Sequence, residues 1–265
     1  MLMMTHTWLL RNFTGGAELI RNHPDLLIYN ICPDLLPIHK DITAEDTHGI
    51  PRHRLLPAKY RKNAFVLFHL MVDDISHHGE ITSQPVMEFN PESNGYTYLK
   101  GKPLVQPLLD IYEKQGTPIS NAHAAYRSHM IIEMTFDLAL HLERLGESEK
   151  LLTLLSEAMS YTVKEKLAEF SENIAWLYGI PVESVEEALR EGAAVYTLNR
   201  IRRFMTIEGR IQLFASKYGI PRDNAQAIAG LTDVMNQGME LVKDYGDFLE
   251  PTLAAIRRVG FNPDF

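Results

Sequence analysis

The sequence predicts an all-α fold, a multi-helix bundle of about eight to ten helices, on three observations. No segment of the 265 residues sustains the period-2 alternation of a half-buried strand. Long stretches instead repeat their apolar residues at the helical period, as Ala64, Leu67, Phe68, Met71 and Val72 do. Tyr178-Gly179-Ile180-Pro181 and Tyr218-Gly219-Ile220-Pro221, about forty residues apart, each supply a glycine to end a helix and a proline to forbid its continuation. Two copies are helix punctuation and too few for a solenoid.

Trp8, Leu9, Phe13, Leu19 and Ile20 predict one or two short helices between Thr5 and Leu27, interrupted at Gly15-Gly16. Asn30 to Lys40, with Pro33 and Pro37, reads as a helix end and loop, and His48 to Arg54 as a second loop. Lys59 to Ser76 is the next helix. Pro85, Pro91, Gly95, Gly101, Pro103, Pro107, Gly116 and Pro118 then punctuate residues 80–119 too often for a long helix, which predicts a loop excursion. Met87, Phe89, Tyr96 and Tyr98 would give it an apolar, aromatic lid or substrate wall. Ser120 is the expected N-cap of a strong helix closed by Gly146, and the chain after Glu147 is helical nearly throughout. The expected organisation is a single all-α domain over 1–265, with a metal-site half at 1–145 and a helical C-terminal half at 146–265.

The totals exclude several classes. A formal net charge of −8 argues against a general grip on nucleic acid. Cys32 is the only cysteine, so an intramolecular disulfide or a Cys-rich zinc site is excluded. The N-terminus lacks a basic region, and His6, Arg11 and Asn12 break its apolar run, which makes a poor signal peptide. No stretch approaches the roughly 18 uninterrupted apolar residues of a membrane span. A cytoplasmic location without a transmembrane segment is the expectation.

The chemistry concentrates in Phe65 to Gly79, an apolar stretch that carries His69, Asp73, Asp74, His77 and His78. Buried imidazoles and carboxylates cost several kcal/mol unless paired or coordinated to a metal. His69 and Asp73 are four apart and share one helix face. His129 and Glu133 repeat that spacing around Met130-Ile131-Ile132, again wholly apolar. Two such pairs suit ligands converging on metal inside a helical bundle. Asp137 continues the second ladder and is expected to orient a ligand histidine, whereas His141 is expected on the surface after a drift of about 40° per four-residue step. His123 is a reserve ligand, and His23 and His39 read as exposed loop residues.

His6, Pro33-Asp34, His48, His69-x3-Asp73, His77-His78 and His129-x3-Glu133 fall in an order that resembles the zinc-dependent phospholipase C and S1/P1 nuclease family. The likeness covers roughly residues 5–140. It implies an all-α fold with clustered zinc. By it, Asp34, His48, His69 and Asp73 would hold one ion, His78, His129 and Glu133 a second, and Asp73 with His6 a third. Family members use a processed N-terminal tryptophan at the third ion, whereas Trp8 is internal here with no cleavage signal before it. His78 is favoured over His77, and His48 over His53 for its separation from Asp34.

The expectation is a metal-dependent phosphoric-ester hydrolase that uses metal-bound hydroxide on a small phosphoester, a phosphodiester or a phospholipid-like substrate. Two zinc ions about 3.5 to 4 Å apart activate water and clamp a phosphoryl oxygen; iron or manganese would also suit nitrogen and oxygen ligands. Asp34, expected on a loop, would double as the base that orients the water. Lys40, Arg52, Arg54, Arg61 and Arg127 are candidate partners for phosphate oxygens. The rival readings are a non-catalytic metal-binding interaction module, which would have closed coordination, and an HD-like phosphohydrolase, whose adjacent His-Asp this sequence lacks.

Overall fold

The computed structural model describes residues 2–15, 17–86, 88 and 90–262. Met87 and Phe89, two of the expected lid residues, lie outside the described residues. The helices are α1 (Met3–Phe13), α2 (Ala17–Asn22), α3 (Leu26–Leu35), α4 (Ala44–His48), α5 (Ala64–His78), α6 (Tyr96–Gly101), α7 (Val105–Lys114) and α8 (Asn121–Glu143). They continue as α9 (Leu145–Glu165), α10 (Leu167–Tyr178), α11 (Val182–Val195), α12 (Leu198–Phe204), α13 (Ile207–Lys217), α14 (Ala225–Leu241) and α15 (Gly246–Arg258). Among the described residues there is no strand, and the fold is an all-α multi-helix bundle, as expected.

The helices are shorter and more numerous than predicted because several breaks carry no glycine or proline. Arg144 (φ −122°, ψ 38°) alone separates α8 from α9, and Lys166 (φ −128°, ψ 6°) alone separates α9 from α10. Gly146, the expected stop, lies inside α9. Gly179 and Gly219 do end their helices, at φ 71° and 70°, where a side chain would be strained. The excursion at 80–119 is helical over much of its length, as α6, a 3-10 turn at Lys102–Leu104, and α7. Pro103 sits at the start of that turn, where no backbone donor is needed.

Pro33 gave a second false stop. It lies inside α3, where all but one residue of Leu26–Leu35 is buried, and that burial outweighs one lost helical hydrogen bond. Asp34 is therefore on the last turn of a helix and not on a loop. His48 likewise ends α4. That short helix is held by a capping box between Thr43 and Asp46, and the Thr47 hydroxyl donates to the Pro33 carbonyl at 2.9 Å. The bond ties His48 to Asp34's helix.

The long central helices are α5 and α8, each buried through most of its length. α5 packs against α3, α6 and α15, and α8 against α1, α6, α7, α9 and α14. A helix apolar nearly all round belongs in the interior, so its few polar residues face other helices and not solvent. Gly95, the N-cap of α6, lies so close to the end of α5 that a Cβ there would overlap the His77 carbonyl. No helix among the described residues is long and apolar enough to cross a membrane.

Candidate metal centre

α5 presents His69, Asp73 and His77 in one row, four residues apart. The row drifts about 40° per step, so it serves two neighbourhoods. At its upper end Asp73 Oδ1 is 3.2 Å from His6 Nε2 of α1, and Asp73 Oδ2 is 3.1 Å from His69 Nε2 and 3.6 Å from His48 Nε2. Asp34 closes this group at 3.7 Å from His48 and 3.9 Å from His69. At its lower end His77 Nε2 is 2.8 Å from Glu133 Oε1 of α8, with the His129 ring centroid 5.4 Å from that of His77. Three sets of potential ligand atoms result, each within 4.8 Å of one another: His6, His69 and Asp73; Asp34, His48 and His69; and His77, His129 and Glu133.

The donor set fits a divalent cation. His69 is wholly buried and its Nδ1 has no hydrogen-bond partner; His129 Nδ1 is buried in the same condition. Buried nitrogens of this kind are costly unless a ligand satisfies them. His48 Nδ1 lies 3.0 Å from the Ala44 carbonyl, and donating to it aims Nε2 at Asp34 and Asp73. Metal-binding histidines are commonly oriented this way. Nitrogen and carboxylate donors without thiolate suit zinc, iron or manganese alike.

The electrostatics separate the imidazoles. Burial, and His6 beside it, push His69 down to about 4 against the pull of Asp73 and Asp34. Burial likewise pushes His129 down to about 3, against Glu133. Both are neutral at pH 7 and present lone pairs. Burial lowers His48 too, but hydrogen bonds with Asp34 and Asp73 overcome it and raise the group to about 10. Burial would raise Asp34, but His48 and His69 outweigh it and hold the carboxyl below its usual range.

All the favoured ligands except His78 fall into these sets. His78 is replaced by His77, because one further residue turns the side chain 100° around α5, away from α8. His53 and His123 are exposed and join no set. Asp137 orients no histidine. Both its oxygens accept from α1, at 3.1 Å from the Met4 amide, 3.0 Å from the Thr5 amide and 2.6 Å from the Thr5 hydroxyl. It thereby caps the helix that carries His6, whose own N-cap, Leu2, has no side-chain acceptor. His141 is buried against Ser148, and His39 is buried beside Glu187, so neither is a surface residue.

Of the five basic residues expected to meet phosphate, only Arg52 lines the cavity, and four of its five N–H donors are taken. Its Nε and Nη2 grip Asp74 at 3.1 and 2.8 Å, and Nη1 donates to the carbonyls of His48 and Ile50. Arg52 therefore fixes the loop after His48. Arg54 lies over Trp176, and Arg127 between Tyr112 and Tyr218. Tyr96 packs on Phe136 and Phe248 away from the ligands, whereas Tyr98 stacks on His129 with centroids 4.7 Å apart.

A cavity of about 510 Å³ exposes both groups, with Asp34, His48, Asp73, His77, His129 and Glu133 in its lining. Part of its lining comes from the C-terminal half: Val195 at the end of α11 and Tyr196 after it, Phe204 of α12, and Arg210, Leu213 and Lys217 of α13. No local pattern marks these residues, since only tertiary packing brings α11 against α3 and Arg210 of α13 against Asp137 of α8. No family model, curated protein or solved structure matches the chain, so the site stands on its own geometry.

Proposed function

We propose that the protein is a metal-dependent phosphoric-ester hydrolase with zinc as its metal and a phosphodiester or phospholipid-like ester as substrate. One observation carries the reading: two groups of imidazoles and carboxylates, joined by one row on α5, open onto the same cavity. The ordered motifs that resemble the zinc-dependent phospholipase C and S1/P1 nuclease family point the same way. Paired divalent cations supply an acidified water and neutralise charge on a phosphoryl group.

The chain's own residues would do the rest. Asp34 faces the cavity with 36% of its side chain exposed and is held as a carboxylate. It can accept the proton of the attacking water at Oδ1 or Oδ2. His69 and His129, kept neutral by burial, offer lone pairs without first losing a proton. Leu213, Phe204 and Val195 exclude water and receive the apolar part of an ester.

The test is metal analysis of protein purified without chelator, with turnover of bis(p-nitrophenyl) phosphate before and after zinc addition. The expected result is two or three bound ions and zinc-dependent turnover. Bound metal without turnover would favour a non-catalytic metal-binding module, and metal-free protein that stays inert in zinc would overturn the reading.

A further inference from the structure

The cavity needs a cation to meet an anionic substrate, and its lining contains few. Among the described residues its arginines and lysines are Arg52, Arg210 and Lys217. Arg52 has four of its five N–H donors taken by Asp74 and two carbonyls. Lys217 is exposed at the end of α13. Arg210 differs from both.

Arg210 is 2% exposed, yet it lines the cavity. Only Nη2 is engaged, donating to Asp137 Oδ2 at 3.1 Å beside Met205 Sδ at 3.3 Å. Its Nε is enclosed without a hydrogen-bond partner. Among the described residues no acceptor bonds Nη1. Asp137 cannot turn to take a second Arg210 donor, because its oxygens already accept three bonds from Met4 and Thr5. The ion pair thus anchors one corner of the guanidinium and leaves its other donors to something else. Arg210 and the first ligand group line the same cavity, with Tyr196, Asp34, His48 and Asp73 also in its lining.

We infer that Arg210 is the substrate-anchoring residue of the cavity, its Nη1 hydrogens binding a phosphoryl oxygen. A buried guanidinium with spare donors is costly until a second acceptor arrives, and a charge-assisted bond to a phosphoryl oxygen supplies one. Lys217 at the rim adds a second charge. This inference rests on the phosphoric-ester reading for its substrate, though not for its test, which reads binding and needs no turnover.

The experiment titrates inorganic phosphate into the zinc-supplemented protein by calorimetry, comparing the wild type with Arg210→Lys, which keeps the charge beside Asp137 and removes Nη1. Arg210→Lys is expected to bind phosphate about 10- to 100-fold more weakly, with zinc content unchanged. Affinity within twofold of wild type, or no phosphate bound by wild type, overturns the inference. Should Arg210→Lys not fold, phenylglyoxal labelling of the wild type reads the same site. Phosphate is then expected to slow modification of Arg210 at least tenfold, and an unchanged rate overturns the inference. Arg210-dependent binding without phosphodiester turnover sinks the hydrolase reading alone; turnover with Arg210-independent phosphate affinity sinks this inference alone.

Discussion

His77 of α5 meets Glu133 of α8 at 2.8 Å, and this contact joins the two central helices at the floor of the cavity. His78, next in the chain, lines the same cavity but joins no ligand set. His77→Ala is therefore expected to lower bound metal by one equivalent, and His78→Ala to leave the metal count unchanged. Elemental analysis of the two purified variants separates them; equal loss in both would show that the row does not end at His77.

Asp73 touches His6, His48 and His69 at once. Zinc at a hundredfold over its dissociation constant stabilises the chain by about 2.7 kcal/mol per site, roughly 5 to 10 °C in Tm. In Asp73→Ala that rise should shrink to what the His77, His129 and Glu133 set supplies. Thermal melts of chelated and zinc-supplemented protein test this, and a full rise in the variant contradicts the central role of Asp73.

Acid should weaken the metal-free fold. An unfolded histidine titrates near 6.5, whereas His69 and His129 are pushed down to about 4 and about 3. Below pH 6.5 the unfolded chain binds protons that these groups refuse, so their stability is lost as pH falls toward those values. His48, raised to about 10, acts oppositely and gains a little over the same window. The net loss between pH 7 and pH 5 is on the order of 3 kcal/mol. Urea unfolding of chelated protein at the two pH values measures it, and an unchanged midpoint would count against neutral burial of both rings.

Gly95 is where α6 leans on the end of α5. Gly95→Ala would force the His77 backbone aside, at about 1 to 3 kcal/mol. The expected signature is lower stability together with weaker metal binding at the His77, His129 and Glu133 set, while the set around Asp73 keeps its affinity. Loss of stability with both affinities intact would show that the strain relaxes elsewhere.

The helical class and both four-residue ladders were legible because hydrophobic period and ligand spacing are local properties. His69 with Asp73, and His129 with Glu133, could be read as pairs without knowing what faces them. The choice of His77 over His78 was not local, since it depends on the direction of α8 from α5. Pro33 misled for a similar reason: the burial of α3 overrides a breaker. Asp137 was rightly singled out yet misassigned, because its partners lie on α1, more than a hundred residues away. Arg210 carries no local mark at all.

The ligand sets come from one part of the chain, and the cavity lining from both halves. Every imidazole and carboxylate of the ligand sets lies between His6 and Glu133, while Val195, Tyr196, Phe204, Leu213 and Lys217 join the lining from the C-terminal half. Exchange of Phe204 or Leu213 therefore remodels the space a substrate meets without altering one ligand atom. On the proposed phosphoric-ester reading, substitutions in the C-terminal helices would retune selectivity while the reacting groups stay in place.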